Sequence, residues 1–120
     1  MRKRNIEAVL LVSILVLLVA GCTSPTSPTD DPFMEQFRGY ANEYAAALDL
    51  GTVKVRFDLD SGEYPHCGAM PGGRLIVCKG PIPFANPRGI AAHEVCHLSG
   101  IGDEWDAEVC AHNLLTGENR

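Results

Sequence analysis

The 120-residue chain has no Cys-x-x-Cys pair, no uninterrupted apolar run of membrane-spanning length, no internal repeat and no excess of basic residues. Each absence closes a class. Without Cys-x-x-Cys, its five cysteines do not read as a cysteine-rich zinc site. The longest apolar stretch, Val9 to Ala20, is interrupted only by Ser13. It falls short of the roughly 20 residues that a transmembrane helix needs. With 10 Lys and Arg against 15 Asp and Glu, the formal charge is −5. So acidic a chain lacks the basic face that a nucleic-acid partner requires.

The N-terminus carries a different message. Arg2, Lys3 and Arg4 precede the apolar run, and small residues follow it, as in a secretory signal. The sequence Val19-Ala20-Gly21-Cys22 resembles the bacterial lipobox. That resemblance implies a signal peptide over residues 1–21, a lipidated Cys22, and a chain held to the membrane of the cell envelope through that lipid. Thr23 follows where Asp would favour retention at the inner membrane. The resemblance therefore implies the periplasmic side of the outer membrane in a Gram-negative cell, or otherwise the outer face of the cell membrane. Removing residues 1–21 takes away three basic residues and one acidic one, moving the formal charge from −5 to −7. Thr23 to Asp30 reads TSPTSPTD, with no large apolar residue and two prolines, so residues 22–31 form a flexible tether.

Residues 32–118 are left as one small domain. A domain this size has a marginal core, which disulfides or a metal commonly support. Cys67, Cys78, Cys96 and Cys110 remain, an even number in an exported chain. Four cysteines allow three pairings, and the order of elements favours Cys67–Cys78 and Cys96–Cys110. Asp31-Pro32 opens a helix whose stripe is Met34, Phe37, Ala41, Tyr44, Ala45 and Leu48, with Gly51 as a stop. Val53, Val55, Phe57 and Leu59 alternate with Lys54, Arg56 and Asp58, which predicts a half-buried strand. A short strand over residues 64–67, a turn at Pro71-Gly72-Gly73 and a strand over residues 74–79 complete a sheet of about three strands. The turn brings Cys67 opposite Cys78. Asn86-Pro87 opens a second helix that runs to Gly100, and Asp103 caps a third that ends near Gly117. Small residues on that last helix, Ala107 and Ala111, let the two approach, so Cys96 can reach Cys110. The class is α+β.

The second of these helices carries His93-Glu94-Val95-Cys96-His97. On a helix, His93 and His97 share a face, about 6 Å apart at Cβ, so both imidazoles can reach one metal ion. Glu94 sits beside them, where it can reach a water held by the metal without binding the metal itself. This is the physical content of the His-Glu-x-x-His zinc motif. A catalytic zinc site wants a third protein ligand and an open position. Two acids compete for that role. Asp103 completes His-x-x-Gly-x-x-Asp, and Glu104 opens Glu104-Trp105-Asp106-Ala107-Glu108.

The second pattern resembles the Glu-x-x-Ala-Asp segment of gluzincins. The longer run from Glu104 through Ala107, Cys110, Ala111, Leu114 and Leu115 is similar to that of the ImmA/IrrE-type metallopeptidases, with Cys for Phe. Arg88-Gly89-Ile90-Ala91-Ala92 looks like their approach to the His-Glu motif. The resemblance covers most of residues 32–116. Two departures stand out. Glu108 takes the place of Asp, and Glu104 follows His97 by only seven positions. The resemblance implies a small zincin-like domain with Zn(2+) held by His93, His97 and Glu104, or Asp103 in its place. Glu108 would support a histidine from behind.

The expected activity is hydrolysis of peptide bonds in a peptide or protein substrate by a zinc-activated water, with Glu94 as general base. The strand over residues 74–79 is expected to offer an edge to the extended substrate. Tyr64, His66, Arg74 and His112 are the candidate oxyanion donors. The competing expectation is a binding or scaffold lipoprotein whose metal is structural. The oligomeric state has no signature in the sequence.

Overall fold

The apolar periodicity that starts at Pro32 is helical from its first residue. The computed structural model describes residues 31–118; the signal peptide, Cys22 and most of the tether lie outside the described residues. Asp31 caps helix α1 (Pro32–Ala47), accepting a hydrogen bond of 2.7 Å from the Phe33 N–H. Strand β1 (Lys54–Asp58) follows, then β2 (His66–Met70), a 3₁₀ turn at Pro71–Gly73, and β3 (Leu75–Lys79). Helices α2 (Pro87–Leu98) and α3 (Glu104–Thr116) complete the domain. The α+β class and the order of helices and strands agree with the sequence. No described helix is long and apolar enough to cross a membrane.

The sheet is mixed, in the order β1-β3-β2. β1 runs parallel to β3, pairing Lys54 with Leu75 through Asp58 with Lys79. β2 runs antiparallel to β3, and Cys67 lies opposite Cys78. A disulfide joins them, as the hairpin geometry predicts. Two expectations are corrected here. The second strand spans His66–Met70 rather than residues 64–67. The strand expected to offer an edge, Leu75–Lys79, is the central one with a neighbour on each side; β2 is the edge on the helical motif's side.

The core lies between the sheet and the helices. Phe37, fully buried, meets the rings of Phe57 and Phe84 edge-on at 5.8 Å and 5.6 Å. Ile76, Val95, Cys78 and Cys96 fill the rest of the centre. The two cysteines thus count as core residues as well as cross-links. The start of α2 is fastened to α1 by Arg88, which donates to the Tyr44 hydroxyl at 2.6 Å and lies 4.3 Å from the Tyr40 ring centre. Asn86 caps α2 through its side chain, which accepts from the Gly89 N–H. A Cβ at Gly89 would collide with the Asn86 side chain and displace it from this cap.

Asn42 makes a contact with no periodic signature in the sequence. Its Oδ1 accepts from the Val53 N–H at 2.9 Å, and its Nδ2 donates to the Val53 carbonyl at 3.2 Å. This two-way clamp holds the entry of β1 against α1. We expect Asn42→Ala to leave both Val53 groups unpartnered and to cost about 1–3 kcal/mol. The check is a lowered urea midpoint with an unchanged denaturant slope.

Candidate metal centre

Six residues separate His97 from Glu104, and the chain must reverse within them. It does so through a Schellman turn. The Gly100 N–H donates to the His97 carbonyl at 3.0 Å, and the Ile101 N–H to the Cys96 carbonyl at 3.4 Å. Gly100 has φ +110°, a conformation that side chains rarely adopt. Asp103 then caps α3 by accepting from the Asp106 N–H at 2.9 Å. Glu104 is the first residue of that helix and is carried back over α2.

The result is a convergence of three donors. Glu104 Oε2 lies 2.9 Å from His93 Nε2, and Glu104 Oε1 lies 3.0 Å from His97 Nε2. The two Nε2 atoms are 3.1 Å apart. Among the described residues, His93, His97 and Glu104 form a group able to hold a metal ion. Of the two acids left open by the sequence, Glu104 is in the cluster, while Asp103 is occupied as a helix cap.

The turn also orients a ligand. The His97 Nδ1–H donates to the Ile101 carbonyl at 2.6 Å, which turns Nε2 toward the cluster. At His93, Glu108 Oε1 approaches Nδ1 to 2.5 Å. The carboxylate lies off the N–H direction, so this buried nitrogen has a close acidic neighbour yet no formed hydrogen bond. Glu108 thus stands behind His93, and the Ile101 carbonyl stands behind His97. The Ile101 contact was invisible in the sequence, because any residue supplies a carbonyl.

Glu94 is the one buried charged residue among those described, 6 % exposed. Burial pushes its carboxyl above the ordinary range. His93 and His97 oppose that rise, Glu104 adds to it, and a hydrogen bond from the Ala69 backbone N–H opposes it. Glu94 is therefore held between the histidine pair and the edge strand. An open groove of about 700 Å³ runs alongside, walled by Cys67, Gly68, Ala69 and Pro71 on one side and by Gly100, Ile101 and Gly102 on the other. None of Tyr64, His66, Arg74 and His112 lines it. Tyr64 is 91 % exposed, and Trp105, at 74 %, projects into solvent from the first turn of α3.

Comparison with protein-family models, with curated proteins and with solved structures returned no match. The reading of the site rests on its own geometry.

Two expectations follow. Gly100→Ala strains the turn by about 1 kcal/mol and moves the Ile101 carbonyl. In the imidazole ¹⁵N spectrum, the His97 tautomer preference should weaken while that of His93 is unchanged. The second concerns pH in the metal-free protein. Glu94 has a folded pKa above its unfolded one, so the folded state keeps a proton that the unfolded chain has released. Its contribution is most favourable below the unfolded value and is lost as pH rises through the raised one. Glu94→Gln removes that loss. The variant should melt with the wild type near pH 4 and above it at pH 8.

Proposed function

We propose that the chain is a zinc-dependent peptidase of minimal zincin type, tethered to the cell envelope by a lipid on Cys22. The observation that carries this reading is the convergence of His93 Nε2, His97 Nε2 and the Glu104 carboxylate, with Glu94 buried beside them.

The donor set fits zinc. Ligands at about 2.0–2.1 Å in a tetrahedron stand roughly 3.3 Å apart, close to the separations of 2.9–3.1 Å found here. Two imidazoles and one carboxylate are also the ligand types of catalytic rather than structural zinc, and three protein ligands leave one position open. That count favours a peptidase over a scaffold with a closed metal site. Among the described residues, Lys and Arg are absent from the groove lining, so no fixed cation there competes with the metal.

Zinc held there would polarise a substrate carbonyl and lower the pKa of a water toward neutrality. The protein's own part is proton handling and positioning. Glu94 accepts the water's proton and delivers it to the departing amine. Burial raises its pKa, which makes it a stronger base than an exposed carboxylate. An extended substrate fits beside β2, whose outer edge has no strand partner among the described residues. Gly68, Ala69, Gly100 and Gly102 crowd that edge little. The envelope location rests on the lipobox resemblance and the Ser/Thr/Pro tether.

The test pairs metal analysis with turnover. The wild type should bind one zinc and cleave unfolded protein in a chelator-sensitive way. Glu94→Gln should keep the zinc and lose about 10²–10⁴-fold in rate. Glu104→Ala should lose zinc, whereas Asp103→Ala should retain it with a small loss of helix stability. A Glu94→Gln protein that cleaves at the wild-type rate removes the assigned base. A wild type that never binds zinc removes the reading altogether.

A further inference from the structure

Four alanines lie on the buried faces of α2 and α3. Ala91, Ala92 and Ala107 are fully buried, and Ala111 is nearly so. Alanines bring helix axes close but bury little area each, so apolar packing alone resists sliding and swinging weakly. Glu104 lies six residues from Cys110, about 9 Å along the helix axis. A swing of α3 by about 10° around that point would carry Glu104 through roughly 1.6 Å on this lever. The donors stand only 2.9–3.1 Å apart, so such a swing would open the cluster.

One covalent bond restrains that swing. Cys96, fully buried and one turn beyond His93 on α2, is joined to Cys110, two residues beyond Glu108 on α3. We propose that the Cys96–Cys110 disulfide is a positioning element of the metal centre. It fixes α3 against α2 and thereby sets the affinity of His93, His97 and Glu104 for a divalent cation. The inference rests on the metal reading given above and extends it to two residues that touch no ligand atom. The bond and the ion favour the same arrangement of the two helices. By linkage, each must then strengthen the other.

The second disulfide supplies the control. Cys67–Cys78 joins β2 to β3 within the sheet and does not connect the helices that carry the donors. The experiment measures zinc affinity by competition with a chromophoric chelator, with circular dichroism recorded at each zinc concentration. Alanine is used at both positions because free thiols would themselves bind zinc. Cys96→Ala/Cys110→Ala should bind zinc tenfold or more weakly, the scale seen when groups that orient metal ligands are lost. Cys67→Ala/Cys78→Ala should stay within about threefold of the wild type, given that it leaves both donor helices joined. Equal affinity in Cys96→Ala/Cys110→Ala and wild type overturns the proposal. So does an equal loss in both double variants, which would reduce the effect to general stability. A Cys96→Ala/Cys110→Ala protein that zinc cannot fold overturns it too, because the bond would then serve the fold rather than the site. A wild type that binds no zinc fails the metal reading itself, and this inference with it.

Discussion

Everything at the candidate site depends on turning the chain around between His97 and Glu104. The reversal takes six residues and rests on two backbone hydrogen bonds, one left-handed glycine and one aspartate cap. A longer connection would give α3 freedom to settle elsewhere. The short one leaves Glu104 little choice but to lie over the histidine pair. The same turn presents the Ile101 carbonyl to His97. One local motif therefore brings in the third donor and fixes the tautomer of the second.

The electrostatics follow from that geometry. Glu94, Glu104 and Glu108 surround two imidazoles, with no lysine or arginine in the groove wall. Without an ion, carboxylates so close repel one another, and burial lifts Glu94 further. A dication held there would reverse the balance, neutralising Glu104 directly and easing the ionisation of Glu94. The basic side chains are spent elsewhere, Arg88 on Tyr44 and Glu43, and Lys79 on Glu63. Three carboxylates therefore meet at the histidine pair without a basic neighbour among the described groove residues.

Much of this was legible in the sequence because it is local. The cap at Asp31, the Asn86-Pro87 entry, the Gly100 break and the three-four stripes mark helices through contacts within a few residues. Histidines four apart on a helix must share a face. The pairing of Cys67 with Cys78 follows once a turn lies between two strands. What stayed hidden depends on distant partners. The parallel pairing of β1 with β3 is a long-range choice, and it makes β3 central and β2 the edge. Gly68 and Ala69 have weak strand preference, so β2 was placed too early. The cap role of Asp103 was legible, but the convergence of Glu104 on both histidines depends on how α3 packs back over α2. The Asn42 clamp and the Ile101 carbonyl have no sequence signature, because amides and carbonyls are everywhere.

The cross-links and the site share their elements for a physical reason. The described domain has 88 residues and buries few large side chains. A core this small cannot also hold an exposed, charged cluster rigid by apolar contact alone. Stiffness must be supplied where the cluster is. One disulfide ties the edge strand that walls the groove, and the other ties the two helices that carry the donors. Arg88, packed on Tyr40 and Tyr44, anchors the start of the motif helix from behind. The far end of α3 has no such restraint and stays solvent-exposed on most of its face. Covalent and polar restraint is therefore densest around the histidines, where convergence of side chains matters.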